Sequence, residues 1–268
     1  MRNRTSALLS RLASDFRQTF KKSSWHGDFS SWQSALANAT GYGQDQILQK
    51  VKAATLKVKH HEAKYERDSV LFENIQYSWP LLAALMWVAA KRNGSLKVAD
   101  FGGSLGSTYF QNKLFLDDIK HLSWNVIEQP NFVACGIQSF QDARLQFFET
   151  LEDSISASGN PDILVLSCVL PYLQDPYGFL RDCLRRSIPH IIVDCTYFNF
   201  EDRDRICVQT VRPEIYEASY PCWLLHYGRV VKLLETNYNI SAEHHNDLFI
   251  YIDGQRIIYK GLLATMKT

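Results

Sequence analysis

A short apolar segment followed directly by closely spaced glycines, VADFGGSLG at residues 98–106, constrains the fold of this chain more than any other feature. Asp100 lies at the end of the apolar segment, and residues 107–115 after the glycines suit a helix. Glycines let a backbone turn tightly around a small polar ligand, because they adopt positive φ angles and have no Cβ. The pattern therefore predicts the strand, glycine loop and helix that open a nucleotide- or nucleoside-binding α/β domain.

Apolar segments that alternate with helix-compatible segments extend this domain. The strands are expected at residues 96–101, 122–128, 145–148, 162–168 and 189–196. Near-continuous apolar strands separated by helices indicate a parallel sheet that is covered on both faces. Because crossovers in such a sheet are right-handed, the predicted fold class is α/β with a doubly wound, Rossmann-like sheet in residues 94–268.

The chain before this domain, residues 1–93, is expected to be a mostly helical extension, with residues 24–43 as the exception. Ser78 is the expected cap of its last helix, Pro80 suits an early helical position, and Gly94 ends the helix.

The chain after the fifth strand changes character. Residues 197–228 are expected to form an insert, residues 229–236 a helix, and residues 238–244 and 256–264 strands. Asp253 and Gly254 between apolar alternations predict a hairpin turn.

Composition excludes several classes of protein. The chain has 268 residues, enough for one sizeable domain with an appendage, and a net charge of +1, which gives no field that would attract nucleic acid or an anionic membrane. Its longest apolar stretch, around residues 79–90, is too short to span a bilayer, and no secretory apolar core follows the N-terminal arginines. The six cysteines form no C-x-x-C pair, so we expect reduced thiols and a cytoplasmic location.

Asp100 is the residue that discriminates between cofactors. A dinucleotide site prefers G-x-G-x-x-G, and a carboxylate in a phosphate cradle would repel the phosphate. The same carboxylate suits a ligand that has an ammonium group and no phosphate, such as S-adenosylmethionine. The structural alternative is that Asp100 braces the loop.

Glu128 ends the second strand, where an acid can accept hydrogen bonds from both ribose hydroxyls. NAD sites use the same arrangement, so Glu128 indicates an adenosine ligand without choosing between the two cofactors. Its structural alternative is a solvated charge at a strand end.

The fourth strand runs into a loop in the segment PDILVLSCVLPYL at residues 161–173. Ligands of open α/β sheets bind at the carboxyl ends of the strands, near the point where the strand order reverses. Ser167 and Tyr172 should therefore border the reactive end of the cofactor, unless Tyr172 packs against the next helix.

The series VADFGGSLG, VIEQP and PDILVLSCVLPYLQDP resembles the class I S-adenosylmethionine-dependent methyltransferases. The chain is also similar, more narrowly, to an uncharacterised methyltransferase family that often occurs among polysaccharide-biosynthesis proteins. The runs WHGDFSSW, YERDSVLF and GSTYFQN, and the segment at residues 208–223, carry this narrower resemblance. It covers most of the chain from about Trp25.

The resemblance implies S-adenosylmethionine as the cofactor. The residues implied to hold its methionine end are Asp100, Gly102, Gly103, Ser104 and Gly106. Glu128 would hold the ribose, and Gln129, Thr150 and Leu151 would lie near the adenine. Tyr65, Arg67 and Phe72 precede the core and are candidates for a lid.

The acceptor pocket is expected in the insert, because aromatic rings with amide and guanidinium groups suit a sugar or another polar organic molecule. The candidate acceptor-binding residues are Tyr65, Arg67, Tyr197, Arg203, Gln209, Tyr216, Tyr220 and Trp223. For the insert aromatics, the alternative is simple packing onto the core.

A hydroxyl acceptor usually needs a base to take its proton, and histidine titrates in the useful range. The candidate catalytic residues are His226, His245 and Tyr172, and His244 is also considered. Adjacent histidines such as His244 and His245 diverge in a regular element, so we predict no metal site.

The favoured hypothesis is a methyltransferase that transfers the methyl group of S-adenosylmethionine to a sugar, a glycan precursor or another small polar acceptor. The expected partner is therefore a small molecule or glycan, with no nucleic acid and no membrane span. An NAD-type oxidoreductase or epimerase is the second hypothesis, which Asp100 disfavours. A catalytically inactive partner subunit with the methyltransferase fold is the third. The sequence does not determine the oligomeric state.

Overall fold

The computed structural model describes residues 25–40, 44–199, 201–211 and 218–267. Its strands are β1 (Trp25–Phe29), β2 (Tyr65–Arg67), β3 (Val70–Phe72), β4 (Ser95–Phe101), β5 (His121–Ile127), β6 (Leu145–Phe148), β7 (Ile163–Ser167), β8 (His190–Thr196), β9 (Phe198–Asn199), β10 (Arg205–Thr210), β11 (Ser219–His226), β12 (Tyr238–Ile252) and β13 (Gln255–Met266). Its α-helices are α1 (Trp32–Ala37), α2 (Gln44–Lys59), α3 (Trp79–Lys91), α4 (Ser107–Leu116), α5 (Pro130–Ser139), α6 (Leu151–Ser158), α7 (Pro176–Arg185) and α8 (Tyr227–Leu234). A short 3₁₀ helix covers Leu170–Tyr172.

A seven-stranded sheet in the order β12-β13-β8-β7-β4-β5-β6 forms the centre of the fold. The strands β4 to β8 are parallel, β13 pairs antiparallel to β8, and β12 pairs antiparallel to β13. The predicted α/β fold with a mostly parallel, doubly wound sheet is confirmed, and all five predicted parallel strands are present. The strand order reverses at β4, so a crevice opens between the carboxyl ends of β4 and β7.

Burial explains why these segments form the sheet. The β7 residues Ile163 to Leu166 are fully buried, as a strand must be when helices cover both faces of its sheet. Trp124 on β5 is also fully buried, in one of the two large apolar clusters of the core. The continuous apolar runs seen in the sequence therefore mark the centre of the molecule.

A second sheet, in the order β1-β10-β11-β9, joins two distant parts of the chain. Trp25 on β1 pairs with Gln209 on β10, and β10 pairs antiparallel to β11 with Cys207 opposite Cys222. These two thiols lie 3.4 Å apart without a disulfide bond. The segment before the core and the insert after β8 thus form one layer.

Residues 65–72 lie in the extension that is expected to be mostly helical, but they are not helical. This segment forms the β2–β3 hairpin, whose turn residues Asp68 and Ser69 have φ angles of 51° and 67°. Strands of three residues carry too little alternation to be recognised from the sequence.

The C-terminal hairpin is confirmed at the predicted turn, where Asp253 and Gly254 have φ angles of 50° and 78°. Its strands β12 and β13 are longer than predicted, and β12 continues through residue 252. The helix predicted at residues 229–236 is present as α8, two residues earlier. No helix in the described part of the chain is long and apolar enough to cross a membrane.

Candidate active site

A cleft of about 1470 Å³ lies at the carboxyl ends of the parallel strands. Its walls come from the ends of β4, β5, β7 and β8, from the β2–β3 hairpin and from the second sheet. Open α/β sheets bind their ligands at this position.

The glycine loop after β4 forms the floor of the cleft. Gly102 has a φ angle of 74°, and a Cβ there would lie 2.6 Å from Val169 Cγ2. A Cβ on Gly103 would lie 2.6 Å from Asp100 Cγ. Ser104 also adopts a positive φ angle, of 56°. The loop is therefore wound too tightly for larger residues, and its backbone is open to a close-fitting ligand.

Asp100 is a buried carboxylate beneath this loop, with an exposure of 1%. The indole Nε1–H of Trp124 donates a hydrogen bond to its Oδ2 at 3.1 Å. Burial raises the pKa of Asp100 to about 7, and the nearby Glu128 carboxylate adds to the shift. No lysine or arginine in the described residues forms a salt bridge with Asp100, so a ligand cation would be its natural counterion.

Glu128 follows β5 and is fixed by two backbone donors. Its Oε1 accepts a hydrogen bond from Ser104 N at 3.2 Å, and its Oε2 accepts one from Gln129 N at 2.8 Å. Each carboxylate oxygen has a further lone pair, so the group can also accept hydrogen bonds from two neighbouring hydroxyls of a ligand. Burial raises its pKa.

The other end of the cleft is lined by aromatic side chains. The hydroxyl of Tyr172 donates a hydrogen bond to Gln209 Oε1 at 2.8 Å, which connects the 3₁₀ helix to the second sheet. The Tyr172 and Tyr220 rings are in edge contact at 5.4 Å. Tyr65 on the hairpin accepts a hydrogen bond from Gln111 Nε2 at 3.3 Å, so the hairpin rests on α4.

The charged residues of the lining are mostly acidic. Among the described lining residues the carboxylates are Asp68, Asp100, Glu128, Glu149 and Asp194, whereas Arg67 is the one lysine or arginine. A phosphate group would be repelled here, and a cationic ligand would be attracted.

Most of the predicted site residues lie together in the cleft lining. They are Tyr65, Arg67, Asp100, Gly102, Gly103, Ser104, Glu128, Gln129, Thr150, Ser167, Tyr172, Gln209, Tyr220 and His245. Thr150 in addition caps α6, because its side chain accepts a hydrogen bond from Asp153 N.

Several predicted residues lie outside the cleft lining. Gly106 precedes α4 with a φ angle of 90°, and Leu151 is buried at the start of α6. Tyr197 is buried behind the wall, where its ring contacts Trp25 edge-on at 5.7 Å. Trp223 stacks on Trp32 at 6.2 Å.

The remaining two polar candidates make surface contacts. Arg203 forms an exposed salt bridge with Asp28, and His226 Nε2 lies 3.2 Å from the exposed Asp202. Tyr216 lies outside the described residues.

Sequence reasoning missed Asp194 at the end of β8, which lines the cleft. The signal that could have identified it is the one that identified Asp100, an acid near the carboxyl end of an apolar strand. The two segments are IIVDC at residues 191–195 and KVADF at residues 97–101. Ser78 occupies the predicted N-cap position of α3, but the side-chain capping expected of it is not formed. Its side chain makes no cap hydrogen bond and instead donates to Asp194 Oδ1 at 3.1 Å.

No protein-family model and no curated protein matches the chain. Among solved structures it is similar to an S-adenosylmethionine-dependent methyltransferase from Methanosarcina mazei, at 14% identity and a TM-score of 0.49, over 71% of this chain and 99% of that one. It is also similar to magnesium protoporphyrin IX methyltransferase from Synechocystis PCC 6803 with bound SAH, at 13% identity and a TM-score of 0.44, over 70% and 82% of the two chains. A third similar structure is the N-terminal domain of EvdMO1 in the presence of SAH and D-fucose, at 14% identity and a TM-score of 0.46, over 85% and 98%.

Proposed function

We propose that this protein is an S-adenosylmethionine-dependent methyltransferase that methylates a hydroxyl group of a sugar, a glycan precursor or another small polar acceptor. One observation carries the proposal. Two carboxylates, Asp100 and Glu128, lie at the ends of adjacent strands beside a glycine loop that admits no Cβ. This combination suits a ligand with a cationic end and a ribose, and it opposes a ligand with phosphates.

The residues present fit the cofactor. Asp100 would attract its ammonium group, Glu128 would accept hydrogen bonds from the ribose hydroxyls, and Gln129 and Thr150 would lie near the adenine. When bound, S-adenosylmethionine supplies an electrophilic methyl group on a sulfonium, which is a good leaving group. The protein then needs chiefly to position the acceptor and to exclude water.

The aromatic end of the cleft is the proposed acceptor site. Aromatic rings pack against the apolar faces of sugar rings, while polar groups such as the Gln209 amide bind hydroxyls. Tyr172 and Tyr220 supply the rings, and Tyr65 and Arg67 on the hairpin also line the cleft. We propose that the described residues before residue 94 form a cover over a methyltransferase domain of residues 94–268, with the hairpin as its lid.

Calorimetry with S-adenosylhomocysteine (SAH), the product of methyl transfer, tests the cofactor. We expect micromolar binding by the whole protein, lost in Asp100→Ala because the ammonium loses its counterion. The matched control is Asp117→Ala, which removes an exposed carboxylate at the C-cap of α4. Binding of NAD but not SAH would show an oxidoreductase, and binding of neither ligand would favour an inactive partner subunit.

Transfer of label from methyl-labelled S-adenosylmethionine to a panel of monosaccharides and oligosaccharides tests the acceptor. A methyl ether resists mild alkali, whereas a methyl ester on a sugar carboxylate is hydrolysed. Label that stays on the sugar after alkali supports methylation of a hydroxyl. Label released by alkali contradicts it.

A further inference from the structure

Asp194 is a buried carboxylate to which the proposed cofactor site gives no role. It lies near the carboxyl end of β8, lines the cleft, and its side chain is only 1% exposed. The two side-chain contacts that described residues make with it, from Ser78 and His244, fall on one oxygen. Oδ1 accepts a hydrogen bond from Ser78 Oγ at 3.1 Å and lies 3.0 Å from His244 Nε2. The second oxygen, Oδ2, is therefore left for a ligand in the cleft.

A β-bulge next to Asp194 brings its carboxylate close to the imidazole of His244. Val193 pairs with Leu262 and Thr196 pairs with Lys260, so Asp194 and Cys195 lie opposite the single residue Gly261 in a β-bulge. Cys195 has a φ angle of 49°. Bulges of this kind redirect side chains and are common next to active sites.

Gly261 lets the histidine reach the carboxylate. His244 on β12 is its cross-strand partner, and the imidazole crosses β13 above Gly261 to reach β8. A Cβ on Gly261 would overlap the imidazole and would lie 2.6 Å from Val193 O. Only glycine therefore leaves room for the contact between His244 and Asp194.

Ser78 on the N-terminal side of α3 also directs its side chain to Asp194. It occupies the N-cap position of α3 with an extended backbone, where a serine usually accepts a hydrogen bond from the first turn of the helix. Its hydroxyl is instead turned to Asp194. Two elements thus contribute donors to a carboxylate that has no lysine or arginine partner among the described residues.

We propose that Asp194 binds the nucleophilic hydroxyl of the acceptor and takes its proton, a role that rests on the proposed methyltransferase function. As the acceptor oxygen bonds to the methyl carbon, the carbon–sulfur bond breaks and its electron pair stays on sulfur. The hydroxyl proton passes to Asp194 Oδ2 and later to water. Ser78 and His244 are positioning residues that hold Oδ1 and so orient Oδ2.

Sinefungin tests this role without a known acceptor. It is an analogue of SAH in which an amine, cationic at neutral pH, stands where the transferred methyl group would be. A carboxylate placed to accept the proton of the nucleophile should also bind this amine. Calorimetry on the whole protein should then show that Asp194→Asn weakens sinefungin binding about tenfold while SAH binding changes less than about twofold.

Glu149→Gln is the matched control, because it removes the same charge from an exposed residue elsewhere in the lining. It should affect the two ligands equally. An equal effect of Asp194→Asn on both ligands, or no effect on either, would overturn the proposal. A wild-type protein that binds neither ligand would instead refute the methyltransferase function itself.

If Asp194→Asn does not fold, variants of the positioning residues Ser78 and His244 provide the test. His244→Gln retains a side-chain donor and should keep the preference for sinefungin, whereas His244→Ala should lose it. Ser78→Ala should weaken sinefungin binding about threefold and leave SAH binding unchanged. If neither alanine variant changes the ratio of the two affinities, Asp194 is not oriented toward the methyl position.

Discussion

Replacing Asp100 with asparagine should make the ligand-free protein more stable at neutral and alkaline pH relative to the wild type. The Asp100 carboxyl is buried, its strongest neighbour is the neutral indole of Trp124, and burial raises its pKa from 3.8 to about 7. The unfolded chain releases this proton near pH 4, whereas the folded protein holds it until near pH 7. Stability contributed by the bound proton is therefore lost as the pH rises through this interval.

The size of the effect follows from the shift in pKa. Each pH unit between the two pKa values changes the free energy of unfolding by about 1.4 kcal/mol. From about pH 5 to about pH 7 the wild type should thus lose up to about 3 kcal/mol relative to Asp100→Asn. The asparagine amide oxygen can still accept the hydrogen bond from Trp124, so the substitution itself changes the free energy of unfolding by an amount that does not depend on pH. The pH dependence of the stability difference therefore reports the ionisation of Asp100 alone.

Urea denaturation of both proteins at several pH values from about 5 to about 8 measures this slope. Asp117→Asn, which removes an exposed carboxylate and leaves Asp100 in place, is the control and should keep the slope of the wild type. Saturating SAH should abolish the slope in the wild type, because the ligand ammonium stabilises the ionised Asp100. A stability difference between wild type and Asp100→Asn that is flat with pH would refute this reasoning.

Three further predictions follow from the geometry of the cleft. Gly103→Ala should destabilise the protein by about 1 to 3 kcal/mol in urea and abolish SAH binding, because its Cβ would lie 2.6 Å from Asp100 Cγ. Tyr172→Phe removes the hydrogen bond to Gln209 at 2.8 Å and should cost about 1 kcal/mol of stability in the same assay, and no loss would show that the bond is not formed. Cys195 is partly exposed in the cleft lining, and desolvation raises its pKa to about 12. Its alkylation by iodoacetamide near pH 8, followed by mass spectrometry, should therefore be slow in the native protein and fast in urea; fast native labelling would contradict the raised pKa.

The central sheet and the cofactor end of the cleft could be predicted because their signals are local. An apolar strand, an acid and a glycine loop are consecutive in the sequence, and the doubly wound topology brings strand ends together without further information. Asp100 and Glu128 follow from this rule alone. Asp194 also lies near the carboxyl end of a parallel strand, so the sequence could have indicated it. Its hydrogen-bond partners, Ser78 and His244, are visible only in the structure.

The aromatic end of the cleft could be predicted only in part. Gln209 and Tyr220 were expected there and do line the cleft, but the contacts that arrange this end are remote in the sequence. Trp25 pairs with Gln209 in a sheet that no local pattern specifies. His244 reaches Asp194 across an intervening strand because a bulge places Gly261 between them, and a β-bulge leaves no fixed mark on the sequence. Tyr197 and Trp223 look like pocket residues by type, yet both pack behind the wall.

The three strand-end acids have a joint consequence for turnover. Asp100, Glu128 and Asp194 lie at or near the carboxyl ends of parallel strands of one sheet, and all three line a cleft whose described residues include a single arginine. S-adenosylmethionine carries a net charge of +1 at neutral pH, because its ammonium and sulfonium outweigh its carboxylate, whereas SAH is net neutral. If the proposed function is correct, the field of the cleft would favour the methyl donor over SAH, because the charge removed in the reaction is that of the sulfonium. The ionised carboxylates, among them Asp100, whose charge destabilises the ligand-free protein, would then also help SAH to leave.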